Sequence, residues 1–293
     1  MEQAINVQSF GQKAKSYLHH PGSLVVLLLT VIAACFTVGI LVFLVGYILI
    51  KGVPFLTPDL FQMTYNSDNV SMLPALINTV LLTLLALLIA GPLGIFAAIY
   101  MVEYASKGNK IVGIVRVTAE TLSGIPSIVY GLFGSLFFVT FLHMQLSMLS
   151  GALTVAIMVL PTILRTTEEA LLAVPSSYRE GSFGLGAGKL RTVFRIVLPS
   201  AVPGILSGII LSVGRIVGET AALIYTAGTM AKLPNNIFSS TRTLSVHMYM
   251  LSGEGFHTDQ AFATSVVLLL MVIVINALSN VVARGLTAKG VRQ

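Results

Sequence analysis

The chain has 293 residues, of which 55% are hydrophobic and only 10% charged, with a mean hydropathy of +0.91. A soluble domain carries about 25% charged residues, so this composition excludes a water-soluble globular protein and indicates a polytopic membrane protein. The net charge of +6 comes from basic residues in short loops and tails, which reads as a topology signal rather than a nucleic-acid surface.

The first apolar run, Leu24–Ile50, is 27 residues long. It exceeds the ~7–15 residues of a signal-peptide core and suffices to cross a bilayer, which takes about 20. It is therefore expected to remain in the mature chain after a cytoplasmic tail, 1–23. Five more runs qualify: Leu73–Val102, Val117–Leu142, Leu149–Leu164, Ala201–Ala227 and Ala261–Val282. They are too long and too continuously apolar for barrel strands, which predicts an all-α bundle of six transmembrane helices. The fourth run is short, and its helix is expected to continue past Arg165. The single Cys35 excludes an intrachain disulfide and reads as a small residue within an apolar run.

Lys and Arg set the orientation. Lys13 and Lys15 precede span 1; Lys107, Lys110 and Arg116 follow span 2. Arg165, Arg179, Lys189, Arg191 and Arg195 follow span 4, and Arg284, Lys289 and Arg292 follow span 6. The alternate loops hold only Lys51, Lys232 and Arg242. Both termini are thus expected in the cytoplasm. The outer segments Lys51–Met72 and Gly228–Gln260 mix polar and aromatic residues and are expected to be ordered. Pro92, Pro126 and Pro161 fall inside spans 2, 3 and 4, beside glycines in the first two cases, and predict bends. They are read either as packing geometry or as a bundle bending around a central path.

The loop after span 4 is the chain's polar island. Ser177-Tyr178-Arg179-Glu180 matches a capping box, with Ser177 at the N-cap and Glu180 at N3, and predicts a short helix ended by Gly184, Gly186 and Gly188. Lys189, Arg191 and Arg195 then alternate with Leu190, Val193, Phe194 and Ile196, which predicts an amphipathic helix on the membrane surface. Leu198-Pro199 and Pro203 are expected to turn the chain into span 5. A short helix between breakers forms a rigid knob, or else a solvated loop without a partner.

Span 5 carries Arg215 and Glu219, followed by Thr220. A charge at mid-span costs about 2.5–3.5 kcal/mol on insertion scales, so such residues face a bundle interior or a wet path. At this spacing the two are expected to reach each other. They form either a self-neutralising pair that pins two helices, or an anion station in which Arg215 offers paired donors and Glu219 limits how tightly the anion is held. Arg116 and Glu120 repeat the spacing at the start of span 3, where snorkelling to the interface is the competing reading.

Glu180-Gly181-Ser182, Gly186, Ile196 and Leu198-Pro199 together resemble the EAA loop of ABC-importer permeases, whose fold is the MetI-like bundle. Gly181 and Ser182 depart from the family's alanines, and glycine weakens a helix by up to ~1 kcal/mol. The resemblance spans 71–283, with the coupling loop at 165–200, and leaves 284–293 as a cytoplasmic tail. It implies a coupling helix that docks on an ATP-hydrolysing subunit. The ATP site is not expected in this chain, because Gly188-Lys189 has Phe183 where a phosphate loop needs its first glycine and Leu190 where it needs a hydroxyl.

Arg215-x-x-Gly218-Glu219-Thr220-Ala221 closely resembles phosphate-importer permeases, as do Gly124-Ile125-Pro126-Ser127-Ile128-Val129-Tyr130-Gly131 and Leu160-Pro161-x-x-x-Arg165-Thr166-Thr167-Glu168. Ala221-Ala222-Leu223-Ile224-Tyr225-Thr226 is more similar to the PstA type than to the PstC type. This resemblance implies a heterodimer with a PstC-type paralogue in a bacterial or archaeal cytoplasmic membrane. It further implies two PstB-type ATPases carrying ATP and Mg, a PstS-type extracytoplasmic phosphate-binding protein, and no cofactor, metal or catalytic residue in this chain. A permease for molybdate or phosphonate, or an ATP-independent secondary transporter or channel, are the competing readings.

Overall fold

The computed structural model describes residues 21–106 and 108–290. The tail to His20 with Lys13 and Lys15, Lys107, and the last three residues with Arg292 lie outside the described residues. The described part contains helices and connecting turns without a strand.

The chain divides into two units between Lys51 and Gly52. The first is the helix α1, Pro21–Gly52. Within it Thr30 and Thr37 donate their hydroxyls to the carbonyls of Val26 and Ala33, at 2.8 and 2.9 Å. Two polar side chains in a lipid-length helix are thereby satisfied internally.

The second unit contains α2 (Leu73–Ile99), α3 (Lys110–Ser123), α4 (Ser127–Gly134), α5 (Met148–Leu172), α6 (Ser176–Gly184), α7 (Lys189–Thr192), α8 (Leu198–Val217), α9 (Ala221–Thr226), α10 (Leu244–Glu254) and α11 (Thr258–Gly290). Among the described residues, five stretches, that of α1 included, are long and apolar enough to cross a membrane, or six if the bent pair α3–α4 counts as one span. α5 is the central post: 67% of its apolar window is buried, against about a third for the helices around it. It continues past Arg165 to Leu172, as the sequence led us to expect.

In lipid, helices associate through close packing rather than through the hydrophobic effect. Small residues permit it here. A β-carbon on Gly94 of α2 would lie 2.8 Å from Ile163 Cγ2 of α5, and one on Gly204 of α8 would lie 2.6 Å from Ala170 Cβ. The core is stacked in three levels. The middle level joins Leu82 and Ala86 of α2, Val155 and Met158 of α5, Ile216 of α8 and Leu223 of α9. One end is closed by Leu60, Met72, Leu244 and Leu251, and the other by Ile99, Leu171, Val193 and Val197.

Five expectations are corrected. Span 3 is not one helix: it breaks at Gly124–Pro126, and α3 and the α4 segment to Phe141 meet at 105°. Pro126 takes φ −59° and ψ 141°, an extended turn that its missing N–H and its ring favour over helix. Pro92 and Pro161, by contrast, sit within continuous helices. Span 5 is also broken, at Gly218–Thr220, leaving α8 and the short α9.

The stretch Lys189–Ile196 does not lie apart as a surface helix. It runs through a π turn, Val193–Val197, directly into α8, giving one stretch Lys189–Val217. Pro199 falls in the first turn after that π turn and Pro203 lies inside α8, so neither turns the chain. The wider turn puts Pro199, which lacks an N–H donor, where the regular ladder is already interrupted.

The capping box does not form. The N-cap of α6 is Pro175 without a side-chain cap bond, and Ser177 lies within the first turn. The extended ψ of 139° at Pro175 starts the helix two residues earlier than expected. The other end is as anticipated: Gly186 adopts φ +79°. Ala187 N–H bonds to Ser182 O at 3.1 Å and Gly186 N–H to Phe183 O at 2.9 Å, the Schellman pattern. The outer segments are ordered, with two 3-10 turns at Val53–Phe55 and Pro58–Phe61 and the helix α10.

Candidate functional site

The two broken spans meet. α4 packs on α9 at Gly131, where a β-carbon would fall 2.8 Å from Ala222 Cα. Tyr130, beside it, donates its hydroxyl to Leu122 O at 2.7 Å and so ties the two halves of span 3 across their bend. Ser147 N–H bonds to Thr226 O at 3.0 Å, joining the end of α9 to the start of α5.

Arg215 occupies the last turn of α8, half-buried, and its charge acts on Tyr130. It forms no hydrogen bond or ion pair among the described residues. Glu219 is buried but does not pair with Arg215. Its Oε1 accepts from Ala222 N–H at 3.0 Å, and its backbone carbonyl accepts from Ser245 Oγ at 2.6 Å. The expected one-turn pairing fails because α8 ends at Val217; beyond that point the spacing no longer places the two side chains on one face. The carboxylate instead satisfies a free N–H in the first turn of α9. Thr220 lies in the same break, half-buried, with its hydroxyl 3.4 Å from Gly218 O. The arrangement thus leaves one guanidinium uncommitted among the described residues, and its paired donors suit the oxygens of an oxyanion.

The second expected pair is also rearranged. Arg116 bonds Glu168 of α5 rather than Glu120, with Nε and Nη2 at 2.6 and 2.5 Å from Oε1. Glu120 lies 3.9 Å from Arg165, which itself bonds Glu169 at 3.1 Å. The bend in span 3 turns α3 against α5, so cross-helix partners replace the partner one turn along. These charges line a cavity of about 310 Å³ with Ala119, Leu164 and Leu172.

The coupling-loop residues divide by exposure. Tyr178, Glu180 and Gly181 face outward on α6. Ser182 is buried, its Oγ 2.8 Å from Thr192 Oγ1. Arg179 turns inward onto Glu103, and Ile196, Leu198 and Pro199 belong to the stretch leading into span 5.

At the opposite end lies a polar cluster that sequence reasoning missed. Arg242, almost fully buried, donates from Nε to Thr229 O at 2.7 Å, and its Nη1 lies 3.3 Å from His247 Nδ1. Its guanidinium stands 5.4 Å over the Tyr65 ring. Burial and the Arg242 charge push His247 down to about 4, so it is neutral at neutral pH. Asn78 of α2 donates to the carbonyls of Lys232 and Arg242 at 3.1 and 3.3 Å. Glu103, Glu168 and Tyr130 were also not foreseen as partners; the available signal was a lone carboxylate at the polar end of an apolar run, which demands a counter-charge.

Comparison with known proteins follows the same lines. Residues 90–289 match the family described as binding-protein-dependent transport system inner membrane component. The chain is 36% identical over 266 residues to a probable ABC transporter permease protein, YqgI, of Bacillus subtilis, covering 84% of this chain and 89% of the relative. It is 34% identical to the phosphate transport system permease protein PstA of Xylella fastidiosa, over 77% of this chain and 79% of the relative. In fold it resembles a chain of a bacterial ABC transporter involved in the import of the acidic polysaccharide alginate, with a TM-score of 0.64 and 18% identity. That match covers 93% of this chain and 98% of the other.

Proposed function

The chain belongs to the binding-protein-dependent transport system inner membrane components, and on that premise we propose that it is the PstA-type subunit importing inorganic phosphate. It is a multi-pass ABC-importer permease of the inner membrane; the anion and the named partners are the proposal. The observation that carries it is Arg215: a half-buried guanidinium with no hydrogen bond or ion pair among the described residues, in the last helical turn before the break in span 5. The likeness to several permeases named for phosphate transport supports the choice of anion.

In this reading phosphate leaves a PstS-type binding protein at the outer face and enters between this chain and a PstC-type partner. Arg215 receives two of its oxygens, and the Thr220 hydroxyl lies at the same break. Glu219, committed to α9, lowers the local positive field without occupying the guanidinium. A dianion then passes instead of being trapped. Toward the cytosol, Arg116 and Arg165 are held by Glu168 and Glu169, so the anion meets paired rather than bare cations on leaving. Two PstB-type ATPases, carrying ATP and Mg, act on α6 from the cytosolic side.

Reconstituting the complete transporter in liposomes tests the assignment. Uptake of labelled phosphate should require ATP and be unaffected by excess molybdate or phosphonate. Uptake suppressed by either anion would transfer the assignment to that substrate.

A further inference from the structure

One guanidinium ties three backbone segments together beneath the coupling helix. Arg179 of α6 donates from Nε and Nη2 to Glu103 Oε1, at 3.0 and 2.7 Å. Its Nη1 donates to Val174 O at 2.8 Å, and Nη2 also reaches Leu171 O at 2.9 Å. Leu171 lies in the last turn of α5 and Val174 just past its C-cap, where helix carbonyls lack donors of their own. Glu103 lies in the π turn Tyr100–Tyr104 that closes span 2. The two side chains are only 19% and 8% exposed, so the pair is far from the solvent-screened bridges that contribute little.

The connectivity gives this pair its meaning. α6 is joined by peptide bonds to α5 through Ala173–Pro175 and to α7 through Leu185–Gly188. Spans 4 and 5 therefore follow α6 through the chain itself. Span 2 does not, because Glu103 is 76 residues from Arg179 in sequence. The end of span 2 also meets this stretch through Lys189 Nζ at the start of α7, 5.1 Å over the Tyr104 ring, and through apolar packing of Ile99 with Leu171, Val193 and Val197. The fork also depends on geometry that lysine lacks: one planar group meets a carboxylate and two carbonyls at once.

We propose that the Arg179–Glu103 pair is the joint that passes displacement of α6 to span 2, with Glu103 as the receiving residue. The proposal rests on the reading of α6 as the contact for an ATPase. It makes Arg179 an inward-facing transmission residue, distinct from Tyr178 and Glu180 on the outward face of the same helix.

The experiment uses the complete transporter in liposomes, with ATP hydrolysis and phosphate uptake read separately. Glu103→Gln should leave hydrolysis near the wild-type rate while phosphate moved per ATP falls about ten-fold or more, as expected when one partner of a buried pair is removed. A second readout does not depend on the anion: spin labels at Leu93 of α2 and Leu172 of α5, both exposed, report the distance between spans 2 and 4. That distance should hold through the ATP cycle in the wild type and shift in Glu103→Gln.

Where Glu103→Gln fails to assemble, Arg179→Lys serves as the variant, since it keeps the charge and loses the fork. Unchanged uptake per ATP together with an unchanged distance overturns the joint. A wild-type complex that hydrolyses ATP without moving phosphate overturns the substrate assignment instead, and the distance measurement still decides the joint. A wild-type complex without ATPase activity overturns the reading on which the joint depends, and the joint with it.

Discussion

Gly131 of α4 lies so close to Ala222 of α9 that a β-carbon on the glycine would fall 2.8 Å from the alanine α-carbon and 3.2 Å from Ala221 O. The contact is backbone against backbone, between the second halves of two broken spans. Gly131→Val should force these halves apart and destabilise the bundle by about 1–3 kcal/mol, the usual cost of overpacking. Thermal unfolding in detergent reads the loss.

Gly181 is the converse case. It is exposed on α6, and a β-carbon there would meet nothing within 4 Å. Gly181→Ala should strengthen α6 by about 0.5–1 kcal/mol through helix propensity alone. Hydrogen exchange of the α6 amides should slow accordingly, whereas faster exchange would mean that α6 needs the glycine.

Arg116 and Glu168 join α3 to α5 over the bend in span 3, and the Glu168 side chain is only 9% exposed. Glu168→Gln should loosen α3 at a cost on the order of 1–2 kcal/mol, the range for a hydrogen bond to a charged group. Glu120→Gln and Glu169→Gln, at solvent-exposed ends of the same cluster, should change stability by less than about 0.5 kcal/mol. Denaturation of the three variants under one condition compares them directly.

His247 gives a pH dependence of known sign. Its folded-state value near 4 lies below the ordinary 6.5, so between these limits the unfolded chain binds the extra proton. Stability therefore rises with pH across this window and is lost as pH falls from about 6.5 through 4, by roughly 3 kcal/mol for a shift of this size. The loss should appear as lower amide protection factors, each taken against the intrinsic exchange rate at that pH, in α10 and the segment around Arg242 at pH 5 than at pH 7. His247→Gln should remove that difference; a profile unchanged by the substitution would place the acid response elsewhere.

The bundle was legible because its signals are additive over many residues: run lengths gave six apolar segments, and basic loops gave a direction. The extension of α5 beyond Arg165 and the glycine-terminated end of α6 were equally plain, since one polar stretch and one positive-φ position decide each. The site was less so. The spacing of Arg215 and Glu219, or of Arg116 and Glu120, describes neighbours only while one helix continues. The two spacings were misread for different reasons: α8 ends between Arg215 and Glu219, whereas Arg116 and Glu120 share the continuous α3 and Arg116 reaches Glu168 of α5 instead. Pro126 broke its helix whereas Pro92, which also stands beside glycines, and Pro161 did not, so neither the proline nor its glycine neighbours decided the outcome. Long-range partners such as Glu103 for Arg179, or Arg242 for His247, leave no local pattern in the chain.

The most direct measurement is ATP-driven phosphate uptake by the reconstituted transporter carrying Arg215→Gln, alongside co-purification of its subunits. With the guanidinium removed and the surrounding helix ends intact, the subunits should still assemble and uptake should fall to the level seen without ATP. Uptake at the wild-type rate in the assembled variant would contradict the account, because the anion would then be crossing without the guanidinium that stands unpaired, among the described residues, at the break in span 5.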